Sequence, residues 1–326
     1  MAHRDIVVIG ASAGGLEALL RLVAQLDPAL PMAIFVVLHT ASDNSGDFAE
    51  LLNRVSPIQA TIANNHETIS MGHIYVARPD YHLLVKKGYI RVTRGPRENR
   101  FRPAIDPLFR SAAVVYTSRV IGIVLSGLLD DGTAGLQAVK RCGGMAIVQT
   151  PEDARFPDMP TNALAHVEVD HCVFAAEMGV LLKQLQQEPA PESPDVPGDI
   201  LAEVKIAEAA MTDIDREEAL GSRATFSCPE CGGPLWEMFD KSAARYRCLV
   251  GHAYTAASLL ASKDMSIESA LWAAIRAMEE QAKLLESMAR DARERKHNKL
   301  IPSLETRAKE SKDYAARIRK LLLEGT

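Results

Sequence analysis

Ile6-Val-Val-Ile9-Gly10-Ala-Ser12-Ala-Gly14-Gly15-Leu16 is the stretch that decides how the first half of the chain is read. Its first four residues are all β-branched and have no polar face, which describes a strand buried on both sides. A Gly-rich turn follows at once, and then Leu16, Leu19, Leu20 and Val23 recur on one face of a helix over 16–26. The same alternation returns further along. Ala33–Leu38 is a second strand and 48–55 a second helix; 120–125 is a strand ahead of a helix at 134–141; 146–149 is another strand. Between them, 72–93 reads as paired strands around a Lys87-Gly88 turn. Buried strands alternating with amphipathic helices predict an α/β domain over residues 1–185, with a doubly wound, mostly parallel sheet.

The turn after the first strand admits two readings. A dinucleotide site needs Gly-x-Gly-x-x-Gly and an acidic residue near the end of the second strand. Here Ser12 stands at the middle glycine and His39 at the acidic position, so a nucleotide-binding oxidoreductase fails at both. Gly10-x-Ser12-x-Gly14 instead suits a nucleophile on a tight strand-to-helix turn. Alone it could be no more than a helix cap. Its weight comes from the other strands, because chemistry in an open parallel sheet gathers at their carboxyl ends. Ser12 follows the first strand, His39 ends the second, and Asp130 and Asp131 follow 120–125. An alcohol nucleophile needs a base, and the base needs a carboxylate to orient it.

The runs 7–15, the strand ending at His39, Phe101-Arg-Pro-Ala-Ile-Asp106-Pro-Leu-Phe109 and Leu125–Gly135 together resemble the catalytic domain of chemotaxis protein-glutamate methylesterases. The resemblance covers about residues 4–180. It implies Ser12 as nucleophile, His39 as general base and acid, and Asp131, directly before Gly132, as the orienting carboxylate in preference to Asp130. It also implies hydrolysis of glutamate γ-methyl esters on receptor helices through an acyl-enzyme, glutamine deamidation by the same chemistry, and no catalytic cofactor. Three departures stand out. Relatives usually carry a phosphoacceptor receiver domain ahead of this strand, and the expectation here is a chain without one. Ala13 replaces a common Thr. The turn that relatives often write Gly-Met-Gly-x-Asp-Gly reads Gly127-Leu-Leu-Asp-Asp131-Gly132. That change puts the oxyanion donors in question, with a catalytically weak signalling or binding module as the alternative reading.

Beyond this domain the charge becomes uneven, and the unevenness marks boundaries. Residues 186–223 hold 3 basic and 10 acidic side chains and open with a Pro-rich run, which reads as an extended linker and a short acidic helix near 200–214. Residues 224–262 contain Cys228-Pro-Glu-Cys231 and Cys248-Leu-Val-Gly-His252. Two such pairs supply the four ligands of a closed, structural Zn²⁺ site, and a redox Cys228/Cys231 pair is the weaker alternative. Strand-like runs at 235–239 and 244–247 make this a ribbon. Cys142 and Cys172 read as buried thiols. Residues 263–326 carry two heptad-like runs separated by Pro302, a helical hairpin that offers a dimer seam.

Composition bounds the rest. With 326 residues, 47% hydrophobic and 24% charged, the chain can bury two or three cores. Its apolar runs are too short to span a membrane, and the N-terminus has no apolar signal segment, so a cytoplasmic protein is expected. Ten basic residues between Arg78 and Arg119 stand against only Asp80, Glu98 and Asp106, a surplus that reads either as steering for an acidic protein substrate or as an ordinary solvated surface. Few aromatics accompany them, which disfavours nucleic acid.

Overall fold

The computed structural model describes residues 2–39, 48–209, 221–239 and 244–324. Its first strands are β1 (Ile6–Ala11), β2 (Ala33–Leu38), β3 (Gln59–Ile62), β4 (His73–Val76), β5 (His82–Lys86) and β6 (Tyr89–Thr93). They are followed by β7 (Val120–Val124), β8 (Met145–Gln149) and β9 (His171–Val173). Seven of the nine form one sheet in the order β3-β4-β2-β1-β7-β8-β9, every pairing parallel. The expected doubly wound sheet is therefore present. The reading of 72–93 is corrected in part: β5 and β6 are the antiparallel pair, whereas β4 belongs to the parallel sheet.

Alternation along β1 divides the core. Ile6 and Val8 face one layer, with Ile105, Leu108, Phe109, Leu136 and Val139. Val7, Ile9 and Ala11 face the other, with Leu19, Leu22, Leu52, Met178 and Leu182. The helices supplying these residues are α1 (Gly15–Val23), α2 (Phe48–Asn53), α3 (Ile105–Tyr116), α4 (Thr133–Arg141), α5 (Asp158–His166) and α6 (Ala175–Gln187). Helix α3 is buried without a break from Ile105 to Ala113, its polar residues Asp106, Arg110 and Ser111 included. Cys142 is buried as read, but Cys172 is exposed, since β9 is the sheet's edge strand.

The Pro-rich segment lies along the domain. Ala190 N–H donates to the Ala2 carbonyl at 2.8 Å, and Ser193 meets Thr117 and Ser118 at 2.6 and 2.9 Å. It leads into α7 (Gly198–Ala209); residues 210–214 of the expected acidic helix lie outside the described residues. Next come β10 (Gly221–Ser227), β11 (Pro234–Met238), β12 (Arg245–Cys248) and β13 (Ala253–Thr255), an antiparallel sheet over a small core of Cys228, Leu235, Cys248, Tyr254 and Leu259.

Two compact units result, Met1–Leu259 and Leu260–Thr326. Within the first, the ribbon is joined to the α/β domain by buried charge. Glu98 pairs with Arg110 and Arg247, and Glu203 of α7 pairs with Arg110, Arg245 and Arg247. Burial opposes the charge of Glu203, but Arg245 and Arg110 hold its carboxyl well below the usual range. The second unit consists of most of α8 (Ala256–Glu294) and α9 (Ile301–Glu324). They run antiparallel, as Lys312–Glu286, Arg319–Glu279 and Ser311–Gln281 require, over a seam that includes Ala282, Ala289, Ala308 and Ala315. Among the described residues no helix is long and apolar enough to cross a membrane.

Candidate active site

Three adjacent strands deliver the candidate residues. From β1 the chain turns towards β2, and from β7 towards β8, so the connections diverge and open a crevice between β1 and β7. Backbone bonds extend the strands into this crevice. Leu125 N–H donates to Gly10 O at 2.9 Å, Ser12 N–H to Ser126 O at 3.0 Å, and His39 N–H to Ala11 O at 3.0 Å. Gly14 then turns the chain into α1 with φ of 69°, a conformation that disfavours a β-carbon.

The side chains converge. Ser12 Oγ lies 3.2 Å from His39 Nδ1, and His39 Nε2 lies 2.8 Å from Asp131 Oδ2. An ionised carboxylate only accepts hydrogen bonds, so the proton resides on Nε2 and Nδ1 presents its lone pair to the Ser12 hydroxyl. Burial of Asp131 works against its charge. The His39 hydrogen bond and charge, the Ile105 N–H and the Asn99 amide outweigh it and hold its carboxyl below the usual range. Asp130 faces elsewhere: it accepts from Thr255 Oγ1 at 2.8 Å.

Three residues of this arrangement have no role assigned by the sequence alone. Asn99 Nδ2 donates to Asp131 Oδ1 at 2.9 Å and to Asp106 Oδ2 at 3.0 Å. Asp106, in turn, accepts from Gly132 and Gly135 N–H at 3.1 and 2.6 Å, which pins the turn carrying Asp131. Burial first, and the Asp131 charge second, push the Asp106 carboxyl up to about 7. Phe101 stacks on the His39 ring with centroids 3.7 Å apart. Asp106 and Phe101 lie in the 101–109 motif, which is a signal that points to them. Asn99 has none, because a polar loop residue carries no periodic signal; its φ of 50° turns the loop, a conformation Asn tolerates.

Gly127 stands against Ser12: a β-carbon there would lie 2.0 Å from Met159 Sδ and 2.7 Å from Ser12 Cβ. Leu129 adopts φ of 62°. The left-handed conformation costs a non-glycine residue about 1–2 kcal/mol. The turn bears this strain with Asn162 Nδ2 donating to Leu129 O at 2.9 Å.

The basic run from Arg78 to Arg119 is largely paired within the molecule. Arg94 and Arg102 meet Asp80, Lys86 meets Glu208, Arg97 meets Glu230 and Arg119 meets Asp5. Arg110 is buried against Glu98. These side chains do not form a free cationic face.

The candidate metal residues are also brought together. One ligand atom from each of Cys228, Cys231, Cys248 and His252 lies within 4.8 Å of the others. Cys231 Sγ and Cys248 Sγ are 3.7 Å apart, and His252 Nδ1 is 3.7 and 3.5 Å from the sulfurs of Cys228 and Cys248. Zinc bonds of about 2.3 Å to sulfur and 2.0 Å to nitrogen give tetrahedral edges of roughly 3.5–3.8 Å, so the donor set fits that ion. Glu230 Oε2 lies 3.4 Å from His252 Nε2, the position of a carboxylate that orients a ligating imidazole.

Residues 7–182 match the family model described as CheB methylesterase. A protein of Leptospira interrogans, provisionally named protein-glutamate methylesterase/protein-glutamine glutaminase, is 35% identical over 184 residues, covering 56% of this chain and 95% of that one. A Geobacter sulfurreducens protein-glutamate methylesterase/protein-glutamine glutaminase is 32% identical over 178 residues, 53% of this chain and 48% of its own length. The Yersinia pestis protein of that name is 34% identical over 169 residues, 51% of this chain and 48% of its own. The match thus spans about half of the latter two relatives. In structure, the Thermotoga maritima CheB methylesterase catalytic domain aligns over its entire length and 57% of this chain, with a TM-score of 0.54 and 29% identity.

Proposed function

This chain belongs to the CheB methylesterase family of carboxylic ester hydrolases, and from that premise we propose that Ser12, His39 and Asp131 hydrolyse glutamate γ-methyl esters on receptor-type protein helices. The observation that carries this reading is the relay of 3.2 and 2.8 Å from Ser12 through His39 to Asp131 at the switch point of the sheet. His39 Nδ1 takes the hydroxyl proton as Ser12 Oγ attacks the ester carbonyl. Asp131 fixes the tautomer and stabilises the imidazolium. The Ala13 N–H, next to the nucleophile, has no hydrogen-bond partner among the described residues and is the candidate donor to the oxyanion. His39 returns the proton to the departing methoxide and methanol leaves. Water activated by the same ring then cleaves the acyl-enzyme to glutamate. A glutamine amide follows the same course with ammonia as leaving group. No step calls on a catalytic cofactor.

The test is methanol release from a methylated receptor peptide by the parent protein and by Ser12→Ala. Equal rates would remove Ser12 as nucleophile. A second reading, a weakly catalytic signalling or binding module, draws on the strained Leu129 beside the catalytic turn; a parent rate no faster than solvent hydrolysis would favour it.

The proposed divisions are a catalytic domain at 1–185, a linker and helix at 186–223, a ribbon at 224–262 and a hairpin at 263–326. Cys228, Cys231, Cys248 and His252 would hold one structural Zn²⁺. Four protein ligands close its shell, so its contribution is folding of the ribbon. Metal analysis finding well under one zinc per chain would reject the site. The protein is taken to act in the cytoplasm, where the cytosolic fraction of fractionated cells should contain it. The C-terminal helices are taken as a dimer seam, which a monomer mass in sedimentation would exclude.

A further inference from the structure

The catalytic carboxylate is held in part by the ribbon. Asn99 is 4% exposed and every polar atom of its side chain is engaged. Its amide nitrogen bridges Asp131 and Asp106, while its oxygen accepts from Thr255 N–H at 3.0 Å and from Ser258 Oγ at 3.1 Å. Thr255 ends the ribbon's last strand and caps α8, exchanging bonds of 2.9 and 3.1 Å with Ser258. Its hydroxyl also reaches Asp130, the neighbour of the catalytic Asp131, at 2.8 Å. The backbone is tied at the same place: Asn99 N–H donates to Ala253 O at 2.8 Å, and Ala253 N–H to Arg97 O at 3.3 Å. Two residues further on, this strap carries Phe101, which stacks on His39. The ribbon therefore meets both the carboxylate and the imidazole of the relay through a single segment, 97–101.

An amide shared by two carboxylates has a defined job. Asp131 needs its Oδ2 directed at His39, and rotation of the carboxyl would break that bond. Asn99, with the N–H of Gly132 and Asp106, locks Oδ1 and so sets the rotation. The amide nitrogen is aimed correctly only while its oxygen is held from the other side, and Thr255 and Ser258 hold it. We infer that Asn99 is a positioning residue for Asp131, and that the ribbon, through Thr255 and Ser258, sets the alignment of the relay and hence its turnover. This rests on the esterase reading above and adds a dependence on a segment beyond residue 182, where the family match ends.

Asn99→Gly keeps the turn, since glycine accepts the positive φ, and removes only the amide. In the full chain it should lower kcat about ten- to hundredfold, the scale on which small misplacements act, with KM within about twofold. Ser258→Ala should lower kcat in the same direction by less, and Ser258→Thr, which retains the hydroxyl, should restore it. The double variant should be no slower than Asn99→Gly, because both act through one amide. The low-field imidazole proton of the His39–Asp131 bond, read by NMR, should weaken or shift in Asn99→Gly and Ser258→Ala and return in Ser258→Thr. Unchanged kcat and resonance in Asn99→Gly, or losses that multiply in the double variant, would overturn the inference. If the parent fails to cleave the ester, the reaction assigned above is wrong and the resonance alone decides the coupling. Should Asn99→Gly fail to fold, the Ser258→Ala and Ser258→Thr pair decides the same question.

Discussion

Gly127 and Ser12 approach so closely that any β-carbon at 127 would sit 2.7 Å from the Ser12 Cβ. The second obstruction, Met159 Sδ, is the end of a flexible side chain and can move. Ser12 cannot, because its N–H is bonded to Ser126 O and its carbonyl to Gly15 N–H. Gly127→Ala should therefore displace Ser12, the proposed nucleophile. Stability should fall by about 1–3 kcal/mol, the range for overpacking, and kcat should fall beyond what the remaining folded fraction explains. Thermal melts and methanol release on one preparation separate the two effects. A variant with parent kcat would show that the site tolerates the shift.

Asp131→Asn tests the tautomer. An amide at 131 can turn its NH₂ towards His39, which then carries its proton on Nδ1, facing Ser12, and cannot accept another. A fall of about 10⁴ in kcat is expected, as for other triads altered in this way. Activity within tenfold of the parent would mean that His39 does not depend on Asp131.

Stability should depend on pH through Asp106. Its carboxyl rises from 3.8 to about 7 on folding, from burial and from the Asp131 charge. Between these values the folded protein binds more proton than the unfolded chain, so stability falls as pH rises through the window and levels off above it, with a slope of at most about 1.4 kcal/mol per pH unit. Asp131 has the opposite sign, since its carboxyl is lowered; its contribution is present above 3.8 and lost below. Urea unfolding across pH 5 to about 8 should show stability falling more steeply, or rising less, with pH in the parent than in Asp106→Asn; buried His82, whose pKa burial lowers, acts with the opposite sign in both proteins. A slope unaltered by that substitution would assign it to another group.

Glu203→Gln should destabilise the protein by about 3–5 kcal/mol, the cost of leaving buried charge unpaired. Glu203 is 5% exposed and balances Arg110, Arg245 and Arg247, two of them nearly inaccessible. Denaturant midpoints measure the loss. A change below about 1 kcal/mol would mean that water enters the cluster in the variant and solvates the charge left behind.

Much of this arrangement is legible in the sequence. The runs at 6–9, 33–38 and 120–125 are β-branched enough to declare themselves, and each is soon followed by a residue of the candidate relay or its neighbour: Ser12, His39 and the Asp130-Asp131 pair. What cannot be read is anything set by contact rather than by pattern. Arg110 has the look of a surface cation and is buried because Glu98 and Glu203 surround it. Asn99 has no local signature at all. Cys172 sits in an apolar stretch, yet its strand is at the sheet's edge and leaves it exposed. Periodicity reports which face of an element is apolar; it is silent on which side chains from distant segments meet.

The buried pairs that join Glu98 and Arg110 to Glu203, Arg245 and Arg247 carry one more consequence. Three stretches of chain, separated by about a hundred and by forty residues, contribute to one shared interior. Ending the protein after residue 185 would bare Glu98 and Arg110 to solvent together with the apolar surface around them. The family resemblance stops near that point, but the folding unit does not. Recombining this catalytic half with a foreign partner would require first rebuilding the face that the ribbon and α7 now cover.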